Sequence, residues 1–143
     1  MALTNTLNVY EVIERVTKEK NRANKISILQ KNNSWALKDV LRGTYDDLVQ
    51  WSLPEGNPPY EPSEEHNCPS SLFKQHKHFK YFVKGLEGDQ VNNVKRERMF
   101  IDMLESIHPK DALLLLKMKD KKQLGVGITK KLIQEAYPDL IKR

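Results

Sequence analysis

Apolar residues recur along this chain with the period of a helix rather than of a strand. Leu7, Tyr10, Ile13 and Val16 follow one another at steps of three, which predicts a helix over 6–19. Residues 22–30 predict a second, with Ile26 and Leu29 or Gln30 facing inward. Asn32-Asn33 breaks that pattern, and Ser34 is a good N-cap for a third helix. Leu37, Leu41, Tyr45 and Leu48 form its stripe, flanked by Trp35 and Val40, and Gly43 inside it marks close packing. A further helix is expected over 71–84, with Leu72, Phe79 and Val83 on one side and Lys77, Lys80 and Lys84 on the other. Gly85 and Gly88 are expected to end it. Met99, Met103 and Ile107, with Phe100 and Leu104 beside them, predict a helix over 93–107. Pro109 opens the next helix, where the dipole favours Asp111 in the first turn. Its run Ala112-Leu113-Leu114-Leu115-Leu116 is apolar on nearly every side, which places it centrally. Thr129 is the expected N-cap of a last helix, 130–136, stopped by Pro138.

Between the third and fourth helices the pattern fails. Pro54, Pro58, Pro59, Pro62 and Pro69, together with Gly56, forbid regular structure over 53–69. The expected fold class is therefore all-α: one compact helical domain over 1–143, of about six to seven helices, with a long Pro-rich surface loop. No useful stretch alternates with period two, so strands are not expected. The core is expected to include Leu41, Tyr45, Phe79, Met103, Leu104, Leu113, Leu116 and Leu132.

Composition narrows the class. With 38% apolar and 30% charged residues the chain fits neither a membrane protein nor a disordered one. No apolar run approaches the ~20 residues of a membrane span, and no secretory signal is legible. Cys68 is the sole cysteine, so no internal disulfide can form, which suits a cytoplasmic setting. The net charge of +5 is uneven: residues 51–70 hold four glutamates and no base, whereas residues 71–143 hold sixteen bases against nine acids. A basic half beside an acidic loop points to a polyanionic partner, with a solvated rim as the plainer reading.

Three constellations bear on chemistry. His66, Cys68, His76 and His78 are metal-ligand types, but their spacing is not a standard one, and neither a metal nor any other cofactor is expected. No phosphate-binding loop, nucleophile elbow or zinc-protease motif occurs, so no catalytic residue is assigned and the chain is read as non-enzymatic. The third constellation is the most informative. Lys117, Lys119, Lys121 and Lys122 precede Gly125-Val126-Gly127, and Thr129, Lys130 and Lys131 follow it. A glycine turn opening a helix exposes backbone N–H groups to an anion, and glycines allow a phosphate to approach closely. Lys119, Lys121, Lys122, Gly125, Gly127, Thr129, Lys130 and Lys131 are therefore the candidate nucleic-acid contacts. Lys77, Lys80, Lys84, Arg96 and Arg98 form a second candidate patch.

Two blocks carry a family resemblance. The first is Ile26-Ser27-Ile28-Leu29-Gln30-Lys31-Asn32-Asn33 followed by Leu37-Lys38-Asp39-Val40-Leu41-Arg42-Gly43-Thr44-Tyr45. The second is Leu124 to Ile141, with Gly127, Thr129 and the ending Tyr137-Pro138-Asp139-Leu140-Ile141. They resemble the start and the end of the N-terminal DNA-binding domain of T-even phage ATP-dependent DNA ligases, and residues 52–94 are not matched. The chain also looks like a group of short phage proteins from T-even-like cyanophages. The resemblance implies an all-helical domain that grips duplex DNA through its phosphates. The adenylated-lysine motif K-x-D-G of those ligases does not occur here, and lysines 121 and 122 stand where the family has arginine. It therefore implies a detached DNA-binding domain without ligase activity. The rival readings are a protein-interaction module, contacting a host or replication protein through loop 53–68 with Tyr60, Glu61, Glu64 and Glu65, and a virion structural component.

Overall fold

The structure is a computed structural model that describes residues 7–85 and 90–141. The expected helix start at Thr6 and the glycine stop at Gly88 lie outside the described residues. Among the described residues seven α-helices run in the order α1 (Val9–Lys18), α2 (Arg22–Lys31), α3 (Trp35–Tyr45), α4 (Leu72–Gln75), α5 (Asn93–Ser106), α6 (Pro109–Lys119) and α7 (Lys130–Ala136). A 3-10 helix, His76–Tyr81, continues α4. The architecture is all-α, and the described residues contain no strand beyond an isolated antiparallel bridge between Trp51 and Val83. None of the described helices is long and apolar enough to cross a membrane.

Caps account for most helix starts. Asn21 accepts from Asn24 N, Ser34 from Leu37 N, Asn92 from Lys95 N and Thr129 from Leu132 N. Each satisfies an N–H that the first helical turn leaves without a partner. Pro109 stands in the first turn of α6, behind His108 as the cap. Helix α6 packs against α1, α3 and α5, and α2 joins α1 to α7. Leu41, Leu104, Leu115, Met118 and Leu132 are completely buried, and Phe79, Met103 and Leu116 nearly so.

Three expectations need correction. Leu113 is 53% exposed, because the four residues from Leu113 to Leu116 span more than a full turn and one of them must face out. Leu48 is 75% exposed, because α3 stops at Tyr45. There the Asp46 carboxylate accepts from Leu48 N at 2.9 Å and turns the chain. The third concerns 71–84, which is not one α-helix. Ser52 N donates to Phe82 O at 2.7 Å and Lys84 N to Gln50 O at 2.8 Å, pulling the end of the segment into the bridge. The preceding turns tighten to 3-10, in which positions three apart eclipse. Phe79 and Phe82 thus both face the core, and Val83 is only half-buried.

Gly43 marks close packing, as expected: a Cβ there would lie 2.5 Å from the Trp51 ring. Trp51 also donates Nε1–H to Gly43 O at 2.9 Å. The Pro-rich segment is a fastened crossover. Glu61 N donates to the Glu105 carboxylate at 2.9 Å, Ser63 Oγ bonds Glu105 O, and Tyr60 packs on the core.

Candidate nucleic-acid interface

The basic turn between α6 and α7 is held from three sides. Helix α6 ends in a Schellman motif: Lys121 N donates to Met118 O at 3.0 Å and Lys122 N to Lys117 O at 2.9 Å. The left-handed position of that motif, usually glycine, is Lys121 at φ 57°. Tyr45, from the end of α3, donates its hydroxyl to Ile128 O at 2.6 Å and accepts from Leu124 N at 3.1 Å. Burial raises the Tyr45 pKa, keeping the phenol a donor. Gln123 Nε2 also donates to Ile128 O, at 3.1 Å.

Both glycines have local structural causes. A Cβ at Gly125 would collide with the Thr17 hydroxyl of α1. Gly127 has φ 79°, and a Cβ there would collide with the ammonium of Lys25. Lys25, at the first turn of α2, thus stands at the glycine turn, about 100 residues away in sequence. Thr129 uses its hydroxyl to cap α7, which has seven residues.

The candidate lysines fall into different environments. Lys122 and Lys131 are exposed. Lys130 pairs with Asp47 at 3.0 Å, and that hydrogen bond holds the Asp47 carboxyl below its usual range. Lys121 donates its ammonium to Asp46 O at 2.6 Å; burial lowers its pKa, while Asp46 and Asp47 act to raise it. Lys119 is a correction. Its residue is 7% exposed, and its ammonium donates to Pro54 O at 3.0 Å and Asp120 Oδ1 at 2.8 Å. It faces inward under the loop because its place on α6 is on the side turned to Pro54. It is a structural cation, out of reach of a phosphate.

The second expected patch divides. Arg96 is buried, with Nη1 donating to Asn93 Oδ1 at 2.6 Å and Nη2 to Val91 O at 2.7 Å. It ties down the start of α5 and is not a surface contact, a second correction. Lys84 and Arg96 line a cleft with Trp51 to Pro54, and Arg98 is exposed on α5. Lys77 and Lys80 instead line a cleft with Asp39, Arg42 and His76.

The four metal-type residues do not converge. His76 Nδ1 meets Asp39 Oδ2 at 2.6 Å, His78 stacks on Tyr81, and Cys68 donates its thiol to Glu64 O at 3.3 Å. Among the described residues no group of three or more His, Cys, Asp or Glu is placed to hold a metal ion. The sequence reading missed Lys25, Tyr45, Thr17, Asp46 and Asp47 as neighbours of the turn. The Asp46-Asp47 pair at the end of α3 was visible in the sequence, but nothing there tied it to lysines some 75 residues on.

No curated protein matches this chain. A model of a family of unknown function, DUF6433, matches residues 12–125, most of the sequence, and the chain belongs to that family.

Proposed function

We propose that this protein is a non-enzymatic, sequence-tolerant binder of duplex DNA that contacts backbone phosphates with its basic turn. The supporting observation is the convergence of Lys25 from α2 on a clamped glycine turn whose exposed rim carries Lys122 and Lys131. Tyr45 and the Schellman bonds fix the turn before any ligand arrives, so little ordering entropy is lost on binding. Lys121 and Lys130 stand beside them and exchange their aspartate-side contacts for phosphate. Such contacts hold and orient a duplex without reading its bases. In this reading the protein is a phage protein acting in the host cytoplasm. The resemblance of Ile26–Tyr45 and Leu124–Ile141 to a ligase DNA-binding domain supports it, as does the excess of base over acid after residue 70.

Titration of a labelled duplex at two salt concentrations tests the proposal. Affinity that falls steeply with salt supports it, and absence of binding at low salt overturns it. Incubation with labelled ATP and magnesium tests the non-enzymatic part, the expected outcome being no protein–AMP adduct. The loop reading has less to stand on, because loop 53–68 is fastened to α5 at Glu105 and its Tyr60 packs inward.

A further inference from the structure

The outer face of α3 carries an aromatic and cationic surface that the duplex reading does not use. Trp35, the first residue of α3, is 66% exposed. An indole left in water forgoes a large burial free energy. Lys38 holds its ammonium 4.6 Å from the centroid of that ring and 5.7 Å from the Tyr137 ring. Trp35, Lys38 and Arg42 stand at i, i+3 and i+7, one face of the helix, spanning about 10 Å.

Two depressions flank this face. A groove of about 430 Å³ runs between it and the C-terminal turn, lined by Trp35, Lys38, Arg42, Tyr137 and Pro138. A cleft of about 230 Å³ lies on the other side of Arg42, where Lys77 and Lys80 join the lining. Three carboxylates border the surface. Asp39 is engaged by His76, and Asp46 is buried with Arg42 Nε 3.6 Å away. Asp139 lines the far rim of the groove. The charge facing solvent across both depressions is therefore mainly positive.

We propose that this face binds single-stranded nucleic acid, with an unpaired base stacked on Trp35 and the flanking phosphates on Lys38, Arg42 and Lys77. A π-face beside a row of cations is what a sequence-tolerant single-strand groove requires. Inside a duplex both faces of every base are already stacked and only the end pairs offer a free face, so a stacking platform continued by a row of cations suits an unpaired strand. Phosphates on either side of the stacked base reach Lys38 within the same turn of α3 and Arg42 one turn further. The inference does not rest on the basic turn and survives its failure.

Labelled oligo-dU and oligo-rU, which differ only in the sugar, are titrated in parallel, alongside an abasic strand of equal length and charge. Wild-type protein is expected to bind at least one base-bearing strand more tightly than the abasic one, and the tighter of the two identifies the sugar. Trp35→Ala is expected to weaken that binding roughly tenfold and to leave abasic binding unchanged, whereas Trp35→Phe retains most of the affinity. The double change Lys122→Ala and Lys131→Ala leaves the difference between base-bearing and abasic strands intact. Equal binding of base-bearing and abasic strands by the wild type overturns the proposal. So does a folded Trp35→Ala variant with undiminished affinity, or no single-strand binding at low salt. The wild-type comparison decides the matter even if a variant fails to fold.

Discussion

The backbone N–H of Tyr10 donates to Asp111 Oδ1 at 2.9 Å, joining the first turn of α1 to the first turn of α6 across 101 positions of sequence. Asp111 is almost fully buried there. Burial pushes its pKa up to about 6, opposed by the Tyr10 hydrogen bond and reinforced by the nearby Glu11 carboxylate. The first-turn position alone favours a charged carboxylate, so here burial outweighs the dipole.

A pH dependence of stability follows. The folded pKa lies above the ordinary carboxylate value of 3.8, so the folded state binds the proton more tightly than the unfolded chain. The contribution of Asp111 is full below pH ~4 and is lost as pH rises through ~6, amounting to roughly 2–3 kcal/mol. Asp111→Asn retains an oxygen to accept from Tyr10 and has no charge to desolvate. Its stability relative to wild type is expected to rise between pH 4 and pH 7, as read by urea denaturation at both. An unchanged difference between the two pH values would contradict this account.

The leucine run of α6 separates inside from outside. Leu116→Ala is expected to cost about 2–5 kcal/mol, because it empties a packed site. Leu113→Ala, at a site 53% exposed, is expected to stay within about 0.5 kcal/mol of wild type. Thermal or chemical melts of the two variants side by side check the orientation of the helix.

For duplex binding, Lys122→Ala combined with Lys131→Ala is expected to flatten the slope of log K against log salt by up to about two units. All sequences should weaken alike. Asp47→Asn releases Lys130 from its carboxylate partner and should strengthen binding at low salt. Lys110→Ala, in the first turn of α6 and so at the opposite end of that helix from the basic turn, serves as a control expected to change little. Unaltered duplex affinity in the double variant removes the turn as the contact surface.

Lys121 pits strain against charge. A non-glycine residue in the left-handed region costs about 1–2 kcal/mol, part of which its bond to Asp46 O recovers. Lys121→Gly is expected to raise stability by up to about 1 kcal/mol while lowering duplex affinity. A calorimetric melt paired with a DNA titration reads both effects. A variant that loses stability instead would show that the Asp46 contact outweighs the backbone strain.

The helices other than α4 were legible because their causes are local. Ser34 and Thr129 cap from the position next to their helices, Pro109 presets its own φ, and the 3.6-residue period of Leu37 and Leu41 or of Phe100, Met103 and Leu104 appears in any short window. The lysine-rich turn was legible for the same reason, being contiguous in the chain. Which lysines are available was decided by tertiary structure. Lys119 and Lys121 are two residues apart on the same turn, yet one is sealed under Pro54 and the other reaches Asp46 O. Lys25 meets Gly127, and Trp35 is left bare, only once α2 and α3 have packed against α7 and the C-terminal turn. Burial of a charge depends on partners brought from distant positions, and no periodicity within one segment encodes them. The 3-10 helix after α4 has the same origin. Its geometry answers to a bridge with Gln50 and Ser52, some thirty residues earlier in the chain.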